Sequence, residues 1–174
     1  MIHKEVIKPI NYLLEKQANE LNNKIAFSDQ NEDITYKELN VETANLTKCF
    51  KNFNINAGES IAIILPNSVN WIVSCFSILR SGCVVVPISF DSTFSEIEYK
   101  IMDASCRLII TSKKFKNQLD EFISNKGLSI QIIYTEDIGN SAKHLKTLRT
   151  IKNDDYSIND DNIDLPGYIL YTSG

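Results

Sequence analysis

From residue 60 onward, short apolar runs alternate with amphipathic stretches. "RLIITS" (107–112) and "SIQIIYT" (129–135) read as strands, and "SIAIIL" (60–65) and "CVVVPIS" (83–89) are too continuously apolar for strands with one wet face. Runs like these belong to strands buried on both faces, which is the habit of parallel sheets. "YILY" (168–171) reads as the final strand. Between the runs lie helical spacings. After Pro66-Asn67-Ser68, Val69, Ile72, Val73, Phe76 and Leu79 fall on one face, with Trp71, Cys75 and Ile78 on a second. A helix apolar on two sides is sandwiched between neighbours, and Gly82 sits where a helix ends. Thr93 and Glu96 have capping-box spacing before a short helix over 94–103. "KKFKNQLDEFISNKG" predicts an amphipathic helix closed by Gly127.

Upstream, a helix is predicted from Pro9 to Leu21, and "KIAFSDQNEDITY" (24–36) predicts two short strands around a polar turn. Thr35 and Glu38 again have capping-box spacing. Behind them Tyr36, Leu39, Thr43, Leu46, Phe50 and Phe53 make one stripe at helical spacing, which core packing explains without a cofactor. The residues after 135 read as a polar connection. The fold class is therefore α/β: a mainly parallel sheet whose right-handed crossovers place helices on both faces.

Composition changes this picture little. The 174 residues are 43% hydrophobic and 23% charged, ordinary for a soluble globular chain. A net charge of −4 argues against nucleic acid as a partner, which needs clustered Lys and Arg. Lys113, Lys114 and Lys116 are the one dense basic cluster and read as a solvated helix start. The four cysteines, Cys49, Cys75, Cys83 and Cys106, lack CxxC spacing and sit among apolar or small residues, so buried free thiols are expected. The acidic residues Asp154, Asp155, Asp160, Asp161 and Asp164 lack the Gly and Glu of a calcium loop, and no metal site is expected. "MIHKEVIKPINYLLEKQ" is too charged for a signal peptide, and no run approaches the roughly 20 apolar residues of a membrane span, so the expected location is cytoplasmic. His3 and His144 are near no nucleophile signature and read as surface residues.

The chemistry is carried by the end of the chain. An apolar run meeting Thr172, Ser173 and Gly174 looks like a strand feeding a phosphate loop, in which successive backbone N–H groups and hydroxyls cup an anion. "ITYKELN" (34–40), "LRSGCVVVPIS" (79–89) and "GYILYTSG" (167–174) occur in that order. Together they resemble the opening signatures of the adenylate-forming (AMP-binding) superfamily, which contains acyl-CoA synthetases, peptide-synthetase adenylation domains and beetle luciferases. Arg80 and Ser81 stand where the second signature usually has Lys and Ala.

The resemblance implies an enzyme that uses ATP and Mg2+ to convert a carboxylate to an acyl-adenylate and pyrophosphate. A thiol, of CoA or of a carrier protein, then displaces AMP. "GCVVVPIS" leans towards the CoA-using style, with a peptide-synthetase adenylation domain as the alternative. The resemblance assigns Thr172, Ser173 and Gly174 to the start of the phosphate loop; no catalytic residue is assigned, because the family's remaining loop and C-terminal domain would lie beyond Gly174. Residues 1–174 thus read as the N-terminal fragment of an AMP-binding domain, cut inside that loop. Such a fragment is expected to be inactive, to bind no cofactor alone, and to self-associate through the face left open by the cut. A non-catalytic remnant or interaction module is the reading from another class. An unrelated nucleotide-binding domain is disfavoured, since no GxGxxG and no Gly-Lys-Ser/Thr occurs.

Overall fold

The computed structural model describes residues 9–151 and 166–172. A helix, α1 (Ile10–Leu21), leads into a hairpin of β1 (Ile25–Ser28) and β2 (Asp33–Thr35) and then α2 (Tyr36–Asn52). β3 (Ser60–Ile64), α3 (Val69–Arg80), β4 (Val84–Pro87), α4 (Phe94–Asp103), β5 (Leu108–Thr111), α5 (Lys116–Lys126) and β6 (Gln131–Tyr134) follow in strict alternation. β3 to β6 form a parallel four-stranded sheet in the order β4-β3-β5-β6.

That order explains the layers. The step from β3 to β4 runs one way across the sheet, and the steps to β5 and β6 run the other way. Right-handed crossovers in opposite directions put their helices on opposite faces. One core accordingly joins α1, α2 and α3 to Ile61, Ile63, Val85 and Ile110, whereas the other joins α4 and α5 to Ala62, Ile64, Val86 and Ile109. β3 and β5 are buried at every position, as their unbroken apolar runs require.

Both capping boxes form. Thr35 Oγ1 accepts from Glu38 N while Glu38 accepts from Thr35 N, and Thr93 and Glu96 repeat the arrangement on α4. Ser68 caps α3, and Gly82 at φ 73° takes the left-handed turn after it. The four cysteines are buried free thiols, and burial pushes the Cys106 thiol up to about 12.

Three expectations change. The predicted helix over 113–126 opens with a 3-10 turn, Lys113–Phe115; Lys113 and Lys114 are exposed, as a solvated helix start requires, with Lys114 Nζ 4.3 Å from the Phe90 ring centroid and Lys116 paired with Asp120. The polar connection contains a further helix, α6 (Leu145–Thr150), whose Leu145 and Leu148 enter the α2 core. The predicted strand 168–171 shrinks to one parallel bridge, Val85 with Tyr168. Val85 N donates to Gly167 O (2.9 Å) and Ile169 N to Val85 O (3.0 Å). In this register the next donor would be the nitrogen of residue 87, and Pro87 has no N–H, so that bond cannot form. His3 and the acidic residues 154–164 lie outside the described residues; His144 is half-buried, with Nδ1 2.9 Å from Thr147 Oγ1.

Candidate functional site

In an open parallel α/β sheet, ligands gather outside the carboxyl ends of the strands, where loops turn into helix N-termini. Those N-termini are natural anion sites. The three after β3, β4 and β5 are already occupied by the protein's own groups. At α3, Asp29 Oδ2 reaches from the hairpin to accept from Val69 N (2.8 Å), and Ser68 Oγ accepts from Trp71 N (3.2 Å). The Val69 N–H, followed by that of Asn31, holds the Asp29 carboxyl below the usual carboxylate range. At α4, the Glu96 carboxylate folds back onto Thr93 N and Oγ1 (2.8 and 2.9 Å). Before α5, Glu136 accepts from Lys113 N (2.8 Å), Ser112 Oγ (2.7 Å) and Thr135 Oγ1 (2.8 Å). Three carboxylates thus fill three places an anionic ligand could have taken.

The segment 166–172 runs parallel to β4 along the outer edge of the sheet and delivers Thr172 at the carboxyl end. Thr172 is exposed and makes no hydrogen bond among the described residues. Ser173 and Gly174 lie outside the described residues. Of the three predicted phosphate-loop residues, then, one has a described place: at the carboxyl edge, uncapped and open.

Two side chains that the sequence left unassigned fix how the segment arrives there. Side chains alternate across the sheet. Tyr168 turns to α3, where its hydroxyl shares a hydrogen bond with Cys75 Sγ at 3.0 Å. Ile169 and Tyr171 turn to the opposite core, and Tyr171 Oη donates to Asp103 Oδ2 at 2.7 Å. The Tyr171 ring meets Tyr99 edge-on at 6.1 Å, and Lys100 Nζ stands 5.8 Å from its centroid. Burial, and next the hydrogen bonds to Cys75 and to Asp103, raise both phenols above the ordinary tyrosine range. Gly167 passes close over α3: a Cβ there would lie 3.3 Å from Leu79 Cδ2. No spacing rule links Tyr171 to Asp103, so sequence alone gave no signal for this contact.

The signature positions Arg80 and Ser81 close α3. Arg80 is 4% exposed and its Nη1 donates to Asn40 O (3.0 Å), Asn40 Oδ1 (2.7 Å) and Thr43 Oγ1 (3.2 Å). It ties α3 to α2. Two clefts of about 300 and 310 Å3 flank α5, one towards β6 and one towards α4, and neither is lined by residues 166–172. Among the described residues, no cluster of three or more His, Cys, Asp or Glu could hold a metal, and no helix is long and apolar enough to cross a membrane.

Comparison with known proteins adds the context of this edge. The family model of the AMP-binding enzyme matches residues 14–174. Gramicidin S synthase 1 of Brevibacillus brevis is 27% identical over 168 residues, covering 96% of this chain and 14% of that protein. The chain therefore spans a small part of the length of the curated relatives it matches. Among solved structures, apo MbtA of Mycobacterium smegmatis superposes with a TM-score of 0.82 at 18% identity, over 96% of this chain and 32% of that one. The N-terminal subdomain of NpsA from Klebsiella oxytoca, in complex with anthranilyl-AMSN, gives 0.69 at 16% identity, over 95% of this chain and 38% of that one. The last two likenesses concern the fold.

Proposed function

The chain belongs to the AMP-binding enzyme family, and from that premise we propose that it supplies the opening of the ATP-phosphate site of an adenylate-forming ligase. In that reaction a carboxylate oxygen attacks the α-phosphorus of ATP, the bond to the β-phosphate breaks, and pyrophosphate leaves with its electron pair. The acyl-adenylate then loses AMP to a thiol. Residues 1–174 are read as the N-terminal part of the AMP-binding domain. Thr172 and Ser173 offer hydroxyl donors to the phosphates, and Gly174, lacking a Cβ, lets the backbone come close.

One observation supports this reading above the others. Asp29, Glu96 and Glu136 cap the helix starts after β3, β4 and β5, whereas Thr172, exposed at the same edge, meets no such internal carboxylate among the described residues. Mg2+ would enter with the nucleotide phosphates, whose charge it screens. Residues 1–174 carry only the beginning of the loop, so adenylation by this stretch alone is not expected. Self-association through the outer edge is part of the same reading, since Tyr168 and Leu170 are 44% and 69% exposed there.

The acceptor thiol is read two ways. The "GCVVVPIS" signature favours CoA, whereas likeness to a gramicidin synthase favours a carrier protein. The experiment supplies ATP, a panel of carboxylic acids and hydroxylamine to this chain and to the longest product of its reading frame. Acid-dependent hydroxamate from the longer product is the expected result. CoA and a pantetheinyl carrier protein, offered in place of hydroxylamine, then separate the two acceptors.

A further inference from the structure

The backbone ladder that seats segment 166–172 on the sheet stops early. Val85 N–Gly167 O and Ile169 N–Val85 O are its two bonds, and Pro87 cannot donate the third. Beyond Ile169, no main-chain hydrogen bond to β4 holds the segment among the described residues. What holds it there is a side chain. Tyr171 Oη reaches Asp103 Oδ2 at 2.7 Å and Lys100 O at 3.4 Å, both in the last turn of α4. The ring is braced by Tyr99, and Tyr171 is directly bonded to Thr172 in sequence.

We propose that Asp103 is a positioning residue for the phosphate loop: by accepting the Tyr171 hydroxyl it replaces the backbone bond that Pro87 withholds, and so fixes where the chain leaves the sheet at Thr172. The Tyr168–Cys75 contact does the same from the opposite face, three residues earlier. The segment is clamped by one phenol to α3 and by another to α4, with a two-bond ladder between them. The assignment of a ligand to that loop rests on the function proposed above; the clamp itself does not.

Amide hydrogen exchange and phenol titration test the clamp on the chain without nucleotide. Asp103→Ala and Tyr171→Phe should each speed exchange at the Ile169 and Val85 amides about three- to tenfold, the effect of one lost hydrogen bond, and leave Ile61 to Ile64 unchanged. Asp103→Asn keeps an oxygen acceptor and should restore slow exchange. It removes the neighbouring negative charge, so the Tyr171 phenol should titrate at lower pH than in the unaltered chain. Unchanged exchange at Ile169 and Val85 in both Asp103→Ala and Tyr171→Phe would overturn the proposal. So would uniform acceleration that includes Ile61 to Ile64, or failure of Asp103→Asn to restore protection. In the adenylation assay, Asp103→Ala should lower turnover and Asp103→Asn recover it. Absence of any activity in the unaltered protein would count against the proposed function and leave the clamp to be decided by exchange.

Discussion

Arg149 Nη2 donates to both carboxylate oxygens of Glu32, at 2.6 and 2.5 Å, across 117 positions of sequence. Its Nη1 donates to Asn70 Oδ1 at 2.9 Å, and its backbone oxygen accepts from Asn45 Nδ2 at 3.0 Å. Nε lies 3.0 Å from Glu42 Oε2 in ion-pair contact without hydrogen-bond alignment. One guanidinium, 2% exposed, therefore joins the hairpin turn, α2, α3 and α6. Burial, working against the attraction of Arg149, raises the Glu42 carboxyl above its ordinary range.

Removing one partner of a buried pair leaves the other charge desolvated. Arg149→Ala should cost about 3 kcal/mol in urea unfolding. Arg149→Met, which keeps the volume, should cost less, and Glu32→Gln less again because Glu32 is the more exposed partner.

Acid should weaken the chain at its helix starts. In the folded chain the Glu38 and Glu96 carboxyls titrate below 4.5, held by the Thr35 and Thr93 backbone N–H groups and then by their hydroxyls. Asp29 titrates below 3.8 for the reason given above. Folding favours the ionised form of all three, so their stabilisation is present above the unfolded values and is lost as pH falls through the lower folded ones. Thr35→Ala should cost about 1 kcal/mol at neutral pH. The cost should shrink on acidification through that window, as read by thermal melts across pH.

The cysteines should be inert while the chain is folded. Burial raises Cys49, Cys75 and Cys83 above the ordinary thiol range, as it does Cys106. The thiolate is the reactive form. A colorimetric disulfide reagent should label these thiols only at the rate of unfolding, and all four at once in denaturant.

The outer edge should be sticky. Leu170 is the most exposed of the large apolar side chains described, and the segment that carries it runs along the outer side of β4, where no further strand pairs with it among the described residues. Leu170→Lys should shift light scattering of residues 1–174 towards monomer without lowering the melting temperature.

Much of this was legible in the sequence. The continuous runs of β3 and β4, with strand-helix alternation from residue 60 on, pointed to a parallel sheet, and Thr35 and Thr93 marked their helices by capping-box spacing. α6 was not legible, since Lys146, Thr147, Arg149 and Thr150 outnumber Leu145 and Leu148 in a six-residue helix. Leu145 and Leu148 seat it on the core, and Glu32 and Asn45, distant in sequence, hold its Arg149. The end of the strand at 168–171 was half legible: Pro87 was in view, but its consequence depends on a register that no local pattern encodes. Thr172 was marked by the small-residue pattern, whereas Asp103 and Cys75, which aim it, carry no motif.

On the function proposed above, the loop opened by Thr172 receives the phosphates of ATP during carboxylate activation. Acid-dependent exchange of labelled pyrophosphate into ATP, run on the longest product of the reading frame with Thr172 and with Thr172→Ala, tests it most directly. Exchange should require a carboxylic acid and fall about tenfold or more in the variant, the cost of one lost phosphate donor. No exchange with any acid, or equal exchange by the two proteins, would contradict it.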